Sequence, residues 1–364
     1  MRILYTLSDM HFGGTSNLLA QNLQTIVQSH TVHLVYFGPN QTMVDKFKAS
    51  GIKPVQIRYK GIKHFLSVVL KLREFIKDNK IEVIHTNLFL DKIIVAAASI
   101  NLKVKKISTI HAAETSKYRK SSKNKIIFKV ENYLHNFIYH KTIAVSQATK
   151  ISCLEERNIN ENKITVLLNG IKPLKKLKIE TPIFNNDSDI VLGTACRFHS
   201  IKGLPRLIKL FSEIIKVHSN IKLLLIGDGA ERNEIDSLIK SLNLEKVVYI
   251  TGFTDDVSIY LNQLDYYINS SFSEAMPVSV LEALSLGKPV IASNVGGLKE
   301  VIIDNFNGKL INFQNENQAY DDLVKFLEAH EIHYESLSDN AEKSFHKNYS
   351  SEIYCENLNK LYSE

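Results

Sequence analysis

The sequence predicts an α/β protein with two Rossmann-like domains, each a doubly wound parallel sheet, and three observations support this fold class. Short apolar runs alternate with helix-like segments along most of the chain, which is the pattern of βαβ units with right-handed crossovers. The alternation occurs twice, on either side of a polar stretch. The chain has 364 residues, of which 44% are hydrophobic, so it is long enough for two domains that each bury a core.

Each predicted strand is a short apolar run bounded by turn signals or helix-like segments. The candidates in the first half are 2–7, 32–37, 82–85, 106–110, 142–145 and 164–168. The candidates in the second half are 190–195, 221–226, 247–250, 265–269 and 290–293. Residues 173–188 are polar, begin with Pro173 and lack sustained periodicity, so they are the predicted linker. Residues 1–172 and 189–348 are then the two domains, and a helical pattern over 349–364 follows them.

The composition narrows the classes of function. The net charge of +7 suits a partner that is nucleic acid, an anionic membrane or a phosphorylated substrate. Cys153, Cys196 and Cys355 are far apart and have no C-x-x-C spacing, so neither a disulfide framework nor a zinc site is predicted. They favour a reducing cytosol, and we expect a cytoplasmic protein. The apolar run at the start is interrupted at Asp9, too soon for a signal peptide, and is predicted to be a strand.

The stretch 270–301, SSFSEAMPVSVLEALSLGKPVIASNVGGLKEV, has the most informative local pattern. Glu274 is predicted to follow the carboxyl end of a strand, Pro277 to open a helix, and Glu282 to lie inside that helix. In a parallel α/β sheet the ligand crevice lies outside the carboxyl ends of the strands, and a helix amino terminus suits a phosphate. Carboxylates accept hydrogen bonds from hydroxyls, so a phosphorylated sugar fits both features of this stretch.

The spacing S-x-x-E-x-x-P-x-x-x-x-E-A-x-x-x-G-x-P-V-x-A-x-x-x-G-G in this stretch resembles the signature of retaining glycosyltransferases of family 4. The resemblance implies the GT-B fold, in which two Rossmann-like domains face a central cleft and the last helix, here 349–364, crosses back to the first domain. It implies that Glu274 contacts the donor sugar and Glu282 the nucleotide ribose. The segment between the two carboxylates supplies further predicted donor contacts, namely Met276, Pro277 and Val278. The alternative is an ordinary strand–helix–strand unit with surface carboxylates.

Two glycine-containing turns follow predicted strands. Gly13 and Gly14 lie between the first strand and the next helix, where glycine lets backbone N–H groups approach a phosphate. They resemble the glycine loop of the family, which faces the donor diphosphate. Gly227-Asp-Gly229 lacks the third glycine of a dinucleotide fingerprint, because Arg232 stands at that spacing. The family has a G-D-G turn here mostly as architecture, with some proximity to the nucleotide, so Gly227 is included among the predicted binding residues.

Three charged or titratable residues complete the predicted site. Arg197 and Lys202 follow the first strand of the second domain in the family's R-x-x-x-x-K-G spacing, and the resemblance implies that they stabilise the leaving diphosphate. A solvated pair of surface charges is the alternative. His111 follows the strand 106–110 and resembles the family histidine that touches the donor sugar. His85 is close to a second family pattern, but Asn87 stands where another histidine is often found, which puts a role for His85 in doubt.

Other motifs are predicted to be scaffold or are excluded by spacing. Ser146, Asn169 and Gly170 match family landmarks near the end of the first domain and are predicted to be scaffold with acceptor-side proximity. His330-Glu-Ile-His333 is not the H-E-x-x-H zinc motif, and Asp187-Ser-Asp189 falls in the predicted linker. No G-x-S-x-G elbow of a hydrolase is present. We therefore expect no metal and no other cofactor.

The positive charge is concentrated between Lys103 and Lys141, with ten Lys or Arg residues against Glu114 and Glu131. Bases alternate there with large apolar residues, as in an amphipathic helix on an anionic membrane. A core-facing helix with a solvated basic side produces the same pattern, so both interpretations remain open. Nucleic acid is not the predicted partner, because no recognised binding motif accompanies the charge.

Together these features predict a retaining glycosyltransferase with a nucleoside diphosphate sugar, UDP- or GDP-linked, as donor. The predicted acceptor is a hydroxyl of a saccharide or of a lipid-linked or cell-surface intermediate, and an anionic membrane is a predicted partner. No protein nucleophile is evident, so the resemblance implies front-face substitution. Two alternatives remain open: a non-catalytic partner subunit that binds the nucleotide sugar, and a GT-B sugar-nucleotide epimerase.

Overall fold

The computed structural model describes residues 1–112, 122–186 and 188–364, and the described chain divides into two compact units. Unit 1 comprises Met1–Lys172 and Ser351–Glu364, and unit 2 comprises Pro173–Ser350. Each unit is built on a parallel sheet flanked by helices. The predicted α/β class with two Rossmann-like sheets is therefore confirmed.

Unit 1 has a sheet of order β3-β2-β1-β4-β5-β6-β7, with all neighbouring strands parallel. Its strands are β1 Arg2–Leu7, β2 Thr31–Tyr36, β3 Val55–Gln56, β4 Val83–Thr86, β5 Lys105–Ile110, β6 Lys141–Ala144 and β7 Ile164–Val166. Its helices are α1 Gly14–Ile26, α2 Val44–Ala49, α3 Phe65–Asp78, α4 Phe89–Ala98, α5 Ser122–Tyr133, which continues as a π-helical turn Leu134–Ile138, α6 Gln147–Glu155 and α14 Ser351–Ser363.

The apolar runs predicted the long strands of unit 1 to within about two residues at each end, because these strands are buried on both faces. Two local predictions differ from the structure. β3 was not predicted, because two residues beside Pro54 produce no periodic signal. Gly14 is the first residue of helix α1 rather than part of the loop before it, because the first turn contains polar residues that an apolar pattern cannot detect.

The two faces of the unit 1 sheet bury separate apolar clusters. One cluster packs side chains of α1, α2 and α14 against the sheet, including Leu23, Phe47 and Leu358. The other packs α3 and α4 on the opposite face, including Leu72 and Ile94. The last helix of the chain thus completes the core of the unit that begins it.

Unit 2 has a sheet of order β10-β9-β8-β11-β12-β13, again parallel throughout. Its strands are β8 Ile190–Ala195, β9 Ile221–Ile226, β10 Val248–Gly252, β11 Tyr266–Asn269, β12 Val290–Ser293 and β13 Gly308–Ile311. Its helices are α7 Leu204–Ile214, α8 Arg232–Ser241, α9 Ser258–Leu261, α10 Val278–Ser285, α11 Leu298–Val301, α12 Glu316–Glu328 and α13 His330–Asn348.

Two features of unit 2 depart from the sequence analysis. The edge strand β13 was not predicted, since it begins at a glycine and two of its four residues are only half-buried. Pro277 precedes helix α10 as its N-cap in an extended conformation, and the helix itself begins at Val278. A proline at either position leaves no intrahelical hydrogen bond unmade, so the sequence does not distinguish them.

Residues 173–186 of the predicted linker are held against unit 2 by hydrogen bonds. The backbone N–H groups of Leu174, Leu177 and Ile183 donate to the side chains of Ser285, Asn262 and Gln263 respectively. Asp187 lies outside the described residues. None of the helices in the described part of the chain is long and apolar enough to cross a membrane.

Candidate functional site

The carboxyl edge of the unit 2 sheet brings two predicted site residues into direct contact. Lys202 lies in a short turn after β8, and Glu274 lies in the loop after the neighbouring strand β11. Lys202 Nζ is 2.6 Å from Glu274 Oε1. The side chains are 24% and 10% exposed, so this ion pair is shielded from bulk water but remains accessible from the edge of the sheet.

The Glu274 carboxylate is oriented by neutral donors as well as by Lys202. Ser271 Oγ donates to Glu274 Oε1 at 2.6 Å, and Asn269 Nδ2 donates to the same oxygen at 3.4 Å. The backbone at Glu274 is fixed by Gly297, whose N–H donates to the Glu274 carbonyl. Gly296 has φ of +48°, and a Cβ there would collide with that carbonyl, so the glycine pair lets the two loops pack closely.

Arg197 lies on the loop after β8 and is exposed. Within the described residues its guanidinium makes no ion pair, so it is available to an anion from solution. The G-D-G turn fixes this loop, because the Phe198 N–H donates to the Asp228 carbonyl. Gly227 has φ of +136°, and a Cβ there would collide with the carbonyl of Cys196. The structure thus gives Gly227 a scaffold function beside Arg197.

Helix α10 begins at Val278, two residues after Met276, so Met276 and Pro277 link the Glu274 loop to the helix. Ala275 and Met276 are buried, and Pro277 and Val278 are partly exposed. Glu282 lies within the helix and is 5% exposed. Along the chain, the amino end of α10 therefore lies between Glu274 and Glu282, as the sequence pattern predicted.

Arg206, in the first turn of α7, is a charged residue of this edge that the sequence analysis missed. Its guanidinium donates to the carbonyls of Ser270 and Ser271 and to Ser293 Oγ. It also stacks on the ring of Phe272, with its central carbon 3.9 Å from the ring centroid. Burial lowers the pKa of Arg206 to about 10, so the residue is still protonated at neutral pH. Arg206 follows Lys202 by four residues, about one helical turn, and this spacing was the sequence signal that could have placed it near Lys202.

In unit 1, His111 lies directly after β5 and contacts a residue that follows the neighbouring strand β4. Its Nε2 is 3.1 Å from Asn87 Oδ1, and Asn87 is almost fully buried. Burial, and then the positive charge of Lys92, lower the pKa of His111 to about 3. The imidazole is therefore neutral at physiological pH, with one nitrogen engaged by Asn87.

Beneath His111 and Asn87 lies a group of buried charges that the sequence did not reveal. Glu131 accepts from Lys92 at 3.4 Å and lies 3.5 Å from Arg157 Nε. Asp91 accepts the N–H groups of Asn87 and Leu88 and the hydroxyls of Thr6 and Ser8. Burial raises the pKa of Asp91 to about 6 in spite of these donors. Asp91 thus ties the loops after β1 and β4 together at the carboxyl edge.

The Gly13–Gly14 loop lies at the same edge, between β1 and α1. Gly13 caps the amino end of α1, and Gly14 opens the helix. A Cβ built on Gly14 would meet no atom of the described protein within 4 Å. Packing within the chain therefore does not require a glycine at this position.

His85 is not at the site, and the structure gives it a scaffold function. Its Nδ1 is 2.6 Å from the hydroxyl of Tyr362 in α14, and its Nε2 is 2.7 Å from Thr109 Oγ1. Tyr362 also contacts the hydroxyl of Tyr5 at 2.6 Å. Ser146 is scaffold in the same sense, because its hydroxyl caps helix α6 by accepting the Thr149 N–H.

Among the residues that the structure describes, no three His, Cys, Asp or Glu side chains converge as metal ligands. His330 Nδ1 instead contacts the hydroxyl of Tyr266. In the basic segment, residues 113–121 lie outside the described chain. Its described part includes α5 and the π-helical turn after it, where Ile126 and Phe137 respectively are exposed.

Family models match both units of the chain. The model described as glycosyltransferase family 4 matches residues 12–173, and the model described as glycosyl transferases group 1 matches residues 176–344. The chain belongs to the family 4 glycosyltransferases. It is accordingly a transferase enzyme, and the predicted family and class of enzyme are confirmed.

Relatives and solved structures agree with this assignment. The chain is 26% identical to alpha-monoglucosyldiacylglycerol synthase of Acholeplasma laidlawii, over 83% of this chain and 81% of the relative. It is 24% identical to N-acetyl-alpha-D-glucosaminyl L-malate synthase of Bacillus anthracis, over 82% and 78%. Its fold is similar to that of Anabaena HepE, crystallised in complex with UDP and glucose, with a TM-score of 0.84 at 18% identity over 100% of this chain and 99% of HepE. The GT-B fold is thereby confirmed.

Proposed function

We propose that this glycosyltransferase moves a sugar from a nucleoside diphosphate donor to a hydroxyl acceptor with retention at the anomeric carbon. The observation that supports this proposal best is the 2.6 Å contact between Lys202 and Glu274, two residues predicted from separate motifs. A cation for the diphosphate next to a carboxylate for sugar hydroxyls is the arrangement that a nucleotide sugar requires. The complex of HepE with UDP and glucose favours a UDP-linked donor.

In the proposed reaction the bond between the anomeric carbon and the diphosphate oxygen breaks while the acceptor oxygen attacks the same face. The proton of the acceptor hydroxyl passes to the departing phosphate oxygen, so no protein nucleophile is needed. Negative charge grows on the diphosphate, and the fixed positive charges of Arg197 and Lys202 stabilise it. These cations supply the charge that a metal provides elsewhere, and we propose a metal-independent reaction without a cofactor.

The remaining predicted residues have roles in donor binding. Glu274 accepts hydrogen bonds from the sugar, and Glu282 binds the ribose. In unit 2, the backbone of Met276, Pro277 and Val278 and the turn at Gly227 line the donor. In unit 1, Gly13, Gly14 and neutral His111 are the proposed ligand contacts. The open space beside Gly14 supports a close approach of ligand to its backbone.

For the acceptor we propose a lipid-linked or membrane-borne saccharide, with the protein held at the inner face of a membrane. The basic segment from Lys103 to Lys141 is the proposed contact with anionic lipid. Exposed Ile126 and Phe137 of its described part would insert between headgroups, and exposed Lys129 would approach them. A lipid acceptor is part of the printed name of the Acholeplasma relative.

The proposal is tested by incubating the purified protein with UDP-glucose, UDP-N-acetylglucosamine or GDP-mannose and a panel of saccharide and lipid acceptors. We expect one donor to raise the thermal midpoint, because a ligand that binds only the folded protein stabilises it. The same donor should yield a product whose anomeric configuration, read by NMR, equals that of the donor. A product of inverted configuration, or donor loss without any acceptor, contradicts it.

A further inference from the structure

We propose that the amino-terminal part of α3 and the turn before it form a membrane-docking surface, distinct from the segment between Lys103 and Lys141. Three aliphatic side chains, Ile62, Leu66 and Leu70, are 85%, 67% and 56% exposed. They are spaced four residues apart and so form one stripe along a helix, here called the α3 stripe. A different side of α3 packs on the sheet, since Val69, Leu72 and Ile76 lie in the core.

The charges around the α3 stripe favour an anionic membrane as the occupant. Six exposed bases surround it in sequence: Arg58, Lys60, Lys63, Lys71, Lys77 and Lys80. Only Glu74 and Asp78 oppose them among the exposed residues of 58–80. A peptide or protein partner would need an apolar surface bordered by acidic residues that match these bases. An anionic bilayer has an apolar interior beneath a uniformly negative surface.

The topology places the α3 stripe where a membrane-borne acceptor would be useful. Strand β3 ends at Gln56 on the carboxyl edge of the sheet, so the segment 57–64 and the start of α3 lie at that edge. The loop at Gly13 and the residue His111 lie at the same edge of unit 1. Docking through Ile62 and Leu66 would therefore bring lipid headgroups to the substrate edge of this unit.

A second exposed stripe lies on the same side of the sheet. Helix α4 packs between α3 and the π-helical turn after α5. That turn and α5 expose Ile126, Tyr133 and Phe137, and the rings of the last two are 5.4 Å apart. Two apolar stripes on one side of one unit can insert into the same membrane surface together. A single stripe on a helix of this length would bind the membrane only weakly.

The inference rests on the proposed membrane-borne acceptor, but its test does not require activity. Co-sedimentation is measured with vesicles of phosphatidylcholine alone and of phosphatidylcholine mixed with phosphatidylglycerol. We expect binding only to the mixed vesicles, weakened by salt. The variant Ile62→Ser/Leu66→Ser/Leu70→Ser should bind at least about tenfold more weakly, because three large side chains no longer enter the apolar layer. Lys60→Glu/Lys63→Glu should lose at least about tenfold as well.

Matched controls separate a specific surface from general effects of composition. Ile332→Ser removes an isoleucine that is 78% exposed on α13 of unit 2, and Lys240→Glu/Lys246→Glu reverses two exposed bases of unit 2. Both should bind vesicles as wild type does. Turnover with a soluble acceptor should be unchanged in the α3 variants, so loss of transferase function and loss of docking are distinguishable. Equal vesicle binding by wild type and the α3 variants, or burial of the stripe in a dimer seen by light scattering, overturns the inference.

A second and independent inference concerns Arg206, which we infer to be a positioning residue for Glu274. Arg206 donates to the carbonyls of Ser270 and Ser271, at the start of the loop that ends in Glu274. Ser271 in turn donates its hydroxyl to the Glu274 carboxylate. Ser271 therefore connects the guanidinium of Arg206 to the carboxylate of Glu274 through hydrogen bonds. The guanidinium makes no direct hydrogen bond to this carboxylate.

The same loop is also tied to the turn that contains Lys202. Ser270 Oγ donates to the carbonyls of Lys202 and Gly203, and the Phe272 N–H donates to the carbonyl of Ile201. Arg206 lies on the helix that continues from this turn and stacks on Phe272. The arginine therefore clamps the Lys202 turn and the Glu274 loop into one arrangement, and the distance between the two site residues depends on it.

This second inference rests on the proposed function of Glu274. Arg206→Ala should lower kcat by about tenfold to a hundredfold, since a small displacement of a reacting group has effects of this size, while the donor KM changes little. In a double-mutant cycle, Arg206→Ala should add little to the loss in Glu274→Gln, because both act through the same carboxylate. Arg73→Ala is the matched control, since Arg73 also donates to two carbonyls, those of Ala98 and Ile100 in unit 1.

The cycle remains informative if Arg206→Ala folds poorly. Phe272 is 41% exposed, and Phe272→Leu removes the ring beneath the guanidinium without emptying the core. It should lower kcat in the same direction and by less. Additive losses in Arg206→Ala and Glu274→Gln, or a loss in Arg73→Ala equal to that in Arg206→Ala, would show that Arg206 acts only on general stability and would overturn the inference.

Discussion

Tyr362→Phe should loosen the last helix from unit 1, and the size of the effect follows from two buried hydrogen bonds. The Tyr362 hydroxyl lies 2.6 Å from the Tyr5 hydroxyl and 2.6 Å from His85 Nδ1. All three side chains are buried. Phenylalanine keeps the ring but leaves two buried polar atoms without a partner, at about 1–3 kcal/mol each. We therefore expect a loss of about 2–6 kcal/mol from the free energy that holds α14 in place.

The matched control is Tyr354→Phe in the same helix. The hydroxyl of Tyr354 makes no hydrogen bond within the part of the chain that the structure describes, and its ring packs against the same core cluster. This substitution should change stability by about 0.5 kcal/mol or less, the usual range away from a specific interaction. Both variants remove one tyrosine hydroxyl from the same helix. They differ in whether that hydroxyl makes hydrogen bonds.

The assay is native-state hydrogen exchange of the amides of 351–363, because a chain with two compact units need not unfold in one step. Protection factors in Tyr362→Phe should fall in proportion to the expected free energy, with those of unit 2 unchanged. If Tyr362→Phe and Tyr354→Phe lose protection equally, the buried hydroxyl chain does not hold the helix, and the argument is wrong.

Four further outcomes are expected. Arg197→Ala and Lys202→Ala should each lower kcat more than they raise the donor KM, since their charges meet charge that grows in the transition state; a rise in KM alone contradicts this. Glu274→Ala should abolish transfer while Glu282→Ala mainly weakens nucleotide binding in calorimetry, and equal losses of affinity at both would refute the assignment. Activity should persist in excess EDTA, and loss restored by manganese or magnesium would disprove metal independence. Unfolding free energy should fall as the pH falls from about 6.5 toward 4, because the pKa of His85 and of His111 is lowered to about 3 in the folded protein while the unfolded chain binds protons near 6.5. Each histidine contributes about 1.4 kcal/mol per pH unit, partly offset below pH 6 by Asp91, whose raised pKa has the opposite sign; flat stability over this range in urea titrations would contradict the assignment.

The class of fold and the main motifs could be predicted from residue types and their spacing. The long strands are buried on both faces, so each appears as an apolar run, and their predicted limits agree closely with the structure. The spacing from Glu274 to Glu282 is local to one strand–loop–helix unit, and local geometry follows directly from local residue types. Short edge strands such as β3 and β13 escaped prediction, because their pairing depends on neighbours distant in sequence.

Contacts between residues that are distant in sequence could not be predicted in this way. Lys202 and Glu274 belong to separate motifs, and only the pairing of β8 with β11 brings their loops into contact. Arg206 has no recognisable motif, since its role depends on carbonyls more than sixty residues away in the chain. The sequence leaves a role for His85 in doubt, and its scaffold function follows from its contact with Tyr362 near the other end of the chain. The exposure of the α3 stripe could not be predicted either, because an aliphatic residue on a helix can face the core or the solvent, and only the packing shows which. Residue type and spacing specify local conformation. The contacts of a side chain with residues distant in sequence depend on how the whole chain folds.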